Sequence, residues 1–261
     1  MIPRLIGMVH LRALPGSPGF GGDFDDVVET AVTDALMLTG AGFEGIMVEN
    51  YGDTPFFADD VPKTTVAAMT RAIAAIRAEI DIPLGVNVLR NDALAAIAVA
   101  AATGASFIRV NVLSGSMYTD QGALTGRAAE VARLRAALGA DVAVAADVFV
   151  KHATPPPGLT LEQAALDTFE RAGADALIVT GPGTGRSASP DMVTAVKAAV
   201  PAATVLVGSG VTSETVASLL GIADGVIVGT SIKVGGSTTA VVDSARARAL
   251  VAAATAPKPS I

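Results

Sequence analysis

An unbroken alternation constrains this chain most: short apolar runs of β type follow one another, each separated from the next by a longer stretch with helical spacing. The runs are Leu5–His10, Gly45–Asn50, Leu84–Leu89, Phe107–Leu113, Val142–Phe149, Ala176–Thr180, Val205–Gly210 and Gly225–Gly229. The helical stretches are Asp25–Thr39, Thr64–Glu79, Ala93–Thr103, Arg127–Leu138, Leu161–Arg171, Asp191–Ala199, Ser213–Leu219 and Thr239–Ala253. Strands joined through helices pair in parallel. Eight such pairs are the number that closes a parallel sheet on itself. The expectation is a single (β/α)8 TIM barrel, preferred over a doubly wound open sheet. No linker or charge run divides the chain, so residues 1–261 are read as one domain. Local punctuation agrees: Gly40-Ala41-Gly42, Gly104, Gly173 and Gly221 stand where helices should stop, and Ser189-Pro190-Asp191 offers a cap, an N1 proline and a first-turn acid.

Two of the last strands run into glycine. Val205-Leu206-Val207-Gly208-Ser209-Gly210 is followed by Gly225-Val226-Ile227-Val228-Gly229-Thr230-Ser231. In a barrel these are the final two βα loops, where backbone N–H groups can cradle a phosphate. Gly208, Ser209, Gly210, Gly229 and Thr230 are therefore expected to bind phosphate, and Gly210→Val to displace it with little loss of fold.

Parity assigns the side chains, because residues along a barrel strand alternate between interior and helix-facing sides. Ile108, Val110, Val112, Val86, Val88, Val144, Ala146 and Val148 should face helices. Asn87, Arg109, Asn111 and Asp147 should point inward, near the C-terminal ends of their strands, as should Glu49. That end carries function in this architecture. Arg109 and Glu49 could pair with each other; otherwise Asn87, Arg109 and Asn111 form a polar bed for a hydroxylated or anionic ligand. Glu49, Asp147, Lys151 and His152 are the candidate catalytic groups: carboxylates for acid–base work, a lysine for charge, a proton or an imine, and one of two histidines. Asp147→Asn and Lys151→Met are expected to abolish turnover while changing stability by no more than about 1–2 kcal/mol. Asp120 joins the ligand contacts from a loop, as does Arg186 from the glycine-rich Thr180–Ser187 segment, which reads as a lid.

Net charge is −7 over 261 residues, which argues against nucleic acid as a partner. There is no cysteine, hence no thiolate chemistry. The longest apolar stretch, Ala93–Ala102, is half of what a membrane helix needs. With the first strand beginning near Leu5 there is no room for a signal peptide, so a cytoplasmic location is expected, with homo-oligomerisation left open. His10, Glu49, Asp147 and His152 suit a divalent metal chemically, but no ligand spacing supports one. No metal or other cofactor is implied.

Several stretches together resemble the BtpA family (BtpA/SgcQ): His10-Leu11-Arg12-Ala13-Leu14-Pro15-Gly16-Ser17-Pro18, Val48-Glu49-Asn50-Tyr51-Gly52-Asp53-Thr54-Pro55-Phe56, Gly85-Val86-Asn87-Val88-Leu89-Arg90-Asn91-Asp92, Phe107–Val112, Thr119-Asp120-Gln121-Gly122 and Val150-Lys151-His152-Ala153. The resemblance implies a phosphate-binding barrel. One branch of the family is tied to photosystem I biogenesis, the other to sugar metabolism and a nucleosidase label, and no catalytic set carries over. Gly115-Ser116-Met117-Tyr118 is the least typical stretch. The expected function is an enzyme acting on a small phosphorylated, sugar-derived metabolite by isomerisation, aldol cleavage or glycosidic cleavage. The alternative is a non-catalytic assembly factor on the same scaffold.

Overall fold

In the computed structural model the alternation closes into a ring. Strands β1 (Leu5–His10), β2 (Gly45–Glu49), β3 (Leu84–Asn87), β4 (Phe107–Val110), β7 (Ala143–Asp147), β8 (Ala176–Val179), β9 (Thr204–Val207) and β10 (Gly225–Val228) pair in parallel, in the order β1-β10-β9-β8-β7-β4-β3-β2. The structure describes residues 2–181, 183–184 and 187–256. Around the barrel run α1 (Phe24–Ala41), α2 (Lys63–Glu79), α3 (Ala93–Thr103), α4 (Ala128–Ala137), α5 (Leu161–Leu166, continuing as a π-helical turn over Asp167–Arg171), α6 (Pro190–Ala199), the short α7 (Val216–Leu219) and α8 (Ser244–Thr255). Helix limits follow local chemistry. Asp23 accepts from the Asp26 N–H to start α1, and Gly42, with φ 97°, ends it by turning its N–H back onto the Leu38 and Thr39 carbonyls. Ser189 caps α6 with Pro190 in its first turn.

The barrel wall separates two apolar populations. Val48, Val86, Val88, Ile108, Val110, Val144, Ala146 and Val148 belong to the layer between strands and helices. Inside lie Ile6, Met8, Met47, Phe107, Ala145, Ala176, Ile178, Leu206 and Ile227. Phe107 reaches across because its neighbour on β3 is Gly85, where a Cβ would collide with the Phe107 ring. Above this apolar plug the interior becomes polar: Glu49, Asn87, Arg109, Asn111 and Asp147 are all buried. The expected parity therefore holds for these residues. It fails at Val112. Strand β4 ends at Val110, so alternation no longer governs residue 112. Val112 packs instead with Met117, Leu124 and Val150.

Those contacts belong to an element the sequence reading passed over, an antiparallel hairpin of β5 (Ser116–Thr119) and β6 (Gly122–Thr125) inserted between β4 and α4. Its strands have only four residues each and turn single apolar side chains inward, so no apolar run announces them. A bridge between Tyr118 and Thr154 ties it to the loop after β7.

After β10 the chain forms two 3-10 turns, Thr230–Ile232 and Val234–Gly236, before α8. They are pinned by Lys233, which is fully buried and donates to Asp34 Oδ2 of α1 at 2.8 Å, while Asp34 Oδ1 accepts from the Val242 N–H at 2.7 Å. Burial pushes the Lys233 pKa down against the attraction of Asp34. No helix among the described residues is long and apolar enough to cross a membrane.

Candidate functional site

The polar layer is built from strand ends. Arg109 on β4 holds Asp147 on β7 with a fork, Nε to Oδ1 at 3.1 Å and Nη2 to Oδ2 at 3.0 Å, and Asn111 Nδ2 adds a third donor at 2.9 Å. Both side chains of the pair are sealed from solvent, 2% and 0% exposed. Burial disfavours the guanidinium, yet Asp147 and Glu49 outweigh it, and the Arg109 pKa is raised. Asp147, expected as an acid–base carboxylate, is occupied by protein donors. Arg109, considered as a partner for Glu49, is committed to Asp147.

Glu49 has more capacity left. Asn87 Nδ2 donates to its Oε2 at 2.6 Å, and its Oε1 stands 3.9 Å from His10 Nε2. Burial raises the Glu49 pKa, but Lys151, His10, Arg109 and the Asn87 bond bring it below the ordinary carboxylate value. It is ionised at neutral pH. His10 Nδ1 lies 3.1 Å from the Thr238 carbonyl oxygen, which can only accept. The proton is therefore on Nδ1, and Nε2 offers a lone pair beside Glu49. Burial lowers the His10 pKa to about 4. The Tyr51 ring lies against the imidazole, with centroids 5.0 Å apart. Lys151, from the loop after β7, faces the same space. Burial, Arg109 and Arg90 push its pKa down while Glu49 and Asp147 hold it up, and the net direction is down. Among the described residues the Lys151 ammonium has no hydrogen-bonded or ion-pair partner. A buried amine with a lowered pKa is suited to proton transfer or to attack on a carbonyl.

Opposite these groups lies the glycine-rich rim. Among the described residues the N–H groups of Gly210, Thr230 and Ser231 donate to no protein acceptor. Gly210 has φ 69°, a conformation that bends the loop so as to expose its backbone. This also corrects the expectation for Gly210→Val, since a β-branched residue is strained there and the fold would suffer. Gly208 has a different reason from the one expected. A Cβ there would come within 2.5 Å of Ile178 Cγ2, so barrel packing demands glycine. A Cβ at Gly229 would lie 3.0 Å from His10 Cε1, so that glycine makes room for the imidazole. Ser209 Oγ accepts from the Gly181 N–H at 2.8 Å and steadies the neighbouring loop.

One cavity of about 300 Å³ joins Gly208, Ser209, Gly210, Gly229 and Thr230 to His10, Glu49, Arg109 and Lys151. Arg246 of α8 also lines it and was not foreseen, because in the alanine-rich helix nothing sets it apart from Arg248. His152 accepts from the Thr184 N–H at 3.1 Å and lines, with Glu49 and Lys151, a second cavity rather than the first. Asp120 accepts from Gln121 Nε2 in the hairpin turn and borders the same cavity. Arg186 lies outside the described residues, as does part of the segment read as a lid. Among the described residues no three His, Asp or Glu side chains converge as metal ligands.

The family model described as BtpA family matches residues 2–256. An uncharacterized protein of Thermococcus kodakarensis is 51% identical over 249 residues, covering 95% of this chain and 93% of that one. The Synechocystis photosystem I biogenesis protein BtpA is 41% identical over 95% of this chain and 87% of its own. The Escherichia coli sgc region protein SgcQ is 34% identical, covering 93% and 90%. Among solved structures, tryptophan synthase of Mycobacterium tuberculosis superposes with a TM-score of 0.63 at 21% identity, covering 98% of this chain and 93% of that one. Phosphoribosyl anthranilate isomerase of Thermus thermophilus gives 0.58 at 13% identity, covering 96% and 97%. At such identities these likenesses show the barrel fold. The full-length family match and the close relatives go further: this chain belongs to the BtpA family.

Proposed function

We propose that this protein is an enzyme that binds a small phosphorylated, sugar-derived metabolite in the barrel mouth, with phosphate against the Gly210, Thr230 and Ser231 N–H groups. The reacting end lies among His10, Glu49 and Lys151. The observation that carries the reading is the single cavity of about 300 Å³ that holds both sets. Ionised Glu49 and the neutral His10 Nε2 can accept protons, and Lys151 can donate one or attack a carbonyl. Arg109 and Asp147 keep the floor rigid and polar. The barrel of phosphoribosyl anthranilate isomerase, whose name speaks of a phosphoribosyl group, agrees with a phosphorylated substrate. The cytoplasm, where such metabolites are made and consumed, is the place of action in this reading.

The test is thermal melting with inorganic phosphate and a panel of pentose and hexose phosphates at millimolar concentration. A native-state ligand raises the melting temperature, and Thr230→Asp, which places a negative charge in the cup, should remove that rise. A flat response across the panel would overturn the phosphate reading. The name of the Synechocystis relative carries a second reading, a non-catalytic assembly factor. That reading takes over if Lys151→Met and Glu49→Gln retain the protein's full biological activity.

A further inference from the structure

Two buried arginines at the barrel mouth are treated differently by the fold. Arg109 is forked onto Asp147. Arg90, which follows β3, is 5% exposed and has no carboxylate within ion-pair distance among the described residues. Its one side-chain bond among them runs from Nη2 to the Lys151 carbonyl oxygen at 2.6 Å. Nε and Nη1 donate to no protein acceptor there. Neither nitrogen is sealed in: the buried side-chain atoms without partners are Ser17 Oγ, Arg77 Nε, Asn111 Oδ1 and Gln121 Oε1. The free nitrogens of Arg90 therefore keep accessible surface, and the cavity that Arg90 lines is the second one, of about 370 Å³.

A guanidinium stays charged at neutral pH, and burying one without a partner is costly. The nearby carboxylates do not offset that cost. Asp147 is taken by Arg109 and Asn111, and Glu49 accepts from Asn87. Asp120 is exposed in the hairpin turn and accepts from Gln121. Burial accordingly pushes the Arg90 pKa down further than Asp147 and Glu49 hold it up. An anion in the cavity would supply what the protein does not. The lining narrows its kind, because two cations, Arg90 and Lys151, already stand with two carboxylates, Glu49 and Asp120. A dianion would be repelled by both carboxylates, whereas one carboxylate group brings a single charge and the planar shape that a guanidinium matches. Tyr51, Phe56 and Leu89 offer flat and apolar wall for the carbon that bears it.

We propose that the second cavity binds a carboxylate-bearing molecule, with the carboxylate on Arg90 and the carbon skeleton against Tyr51, Phe56 and Leu89. The site does not depend on phosphate at the glycine-rich rim.

The test is ligand-observed NMR titration with acetate, lactate, succinate, benzoate and nicotinate, each beside its uncharged amide. At least one carboxylate should bind about tenfold or more tighter than its amide. Arg90→Gln, which removes the charge and keeps a donor, should erase that preference. Thr54→Glu places a negative charge at an exposed position of the cavity lining and should erase it too, so the test remains readable if Arg90→Gln fails to fold. Thr230→Asp, in the other cavity, should leave the preference unchanged. If every carboxylate binds no tighter than its amide, or the preference survives Thr54→Glu and a folded Arg90→Gln, the site is overturned. Inorganic phosphate, titrated into the same proteins, separates the two anion sites. Phosphate binding lost in Thr54→Glu and kept in Thr230→Asp would assign the second cavity to phosphate and overturn the carboxylate. A carboxylate preference that is lost in Thr54→Glu upholds the site even where phosphate binds nowhere and the phosphate reading falls.

Discussion

His10 spends its only N–H on the Thr238 carbonyl, and this decides how the residue responds to acid. Its folded pKa of about 4 lies below its ordinary value of 6.5. The unfolded chain therefore binds the extra proton first. Stability is complete above about pH 6.5 and is lost as pH falls toward 4, by about 3 kcal/mol in total from this residue. Glu49, held below its ordinary value of 4.5, adds its own loss as pH falls below about 4.5. Urea unfolding of the wild type and His10→Gln across that window should show the slope flattening in the variant. Asp147 calls for a different forecast from the one its sequence position suggested. Its three donors include a sealed guanidinium. Asp147→Asn should therefore cost about 3–5 kcal/mol in denaturant unfolding, the range for a buried charge that loses its partner, rather than 1–2. Parity placed this carboxylate inside; it could not disclose that Arg109 and Asn111 would saturate it, since pairing depends on how two strands are staggered.

Elements differ in how plainly they announce themselves. Helix α3 runs from Ala93 to Thr103, as its cap-to-glycine pattern indicates. The inward-facing polar residues of β3, β4 and β7 also follow from alternation. The β5–β6 hairpin does not, because its inward residues, Met117 and Leu124, gain their meaning only from Val112 and Val150 across the loop. The loop after β10 has the same character: its anchor is an ion pair between Lys233 and Asp34, 199 positions apart. Asp34→Ala strands a buried ammonium and should cost about 3–5 kcal/mol. It should also weaken inorganic phosphate binding, since Thr230 and Ser231 belong to the turn that Lys233 fixes. Unfolding and phosphate titration of the one variant check both outcomes. Unchanged phosphate affinity would separate the anchor from the cup.

At the scale of the whole molecule the barrel was legible because the same signal repeats around the ring, so an error at one strand leaves closure intact. The substrate was not legible, because the mouth is assembled from loops whose neighbours in space are remote in sequence. Occupation of that mouth should be felt throughout the cooperative unit: at a hundredfold excess of ligand over its Kd, unfolding should be opposed by about 2.7 kcal/mol. Hydrogen exchange should then show slower opening in strands far from the cavity as well as near it, whereas protection confined to the loops would mean that the barrel does not unfold as one.

The hydrogen bond between His10 and Thr238 spans 228 positions and ties the end of the first barrel strand to the turn before the last helix. During synthesis the ribosome releases His10 long before Thr238. Until then the imidazole lacks the contact that fixes its proton on Nδ1. Lys233, which pins the turn of Thr230 and Ser231, emerges only a few residues before Thr238. Until that segment has left the ribosome, a nascent chain lacks both contacts: the bond that fixes the His10 tautomer and the ion pair that pins the turn of Thr230 and Ser231 can form only together.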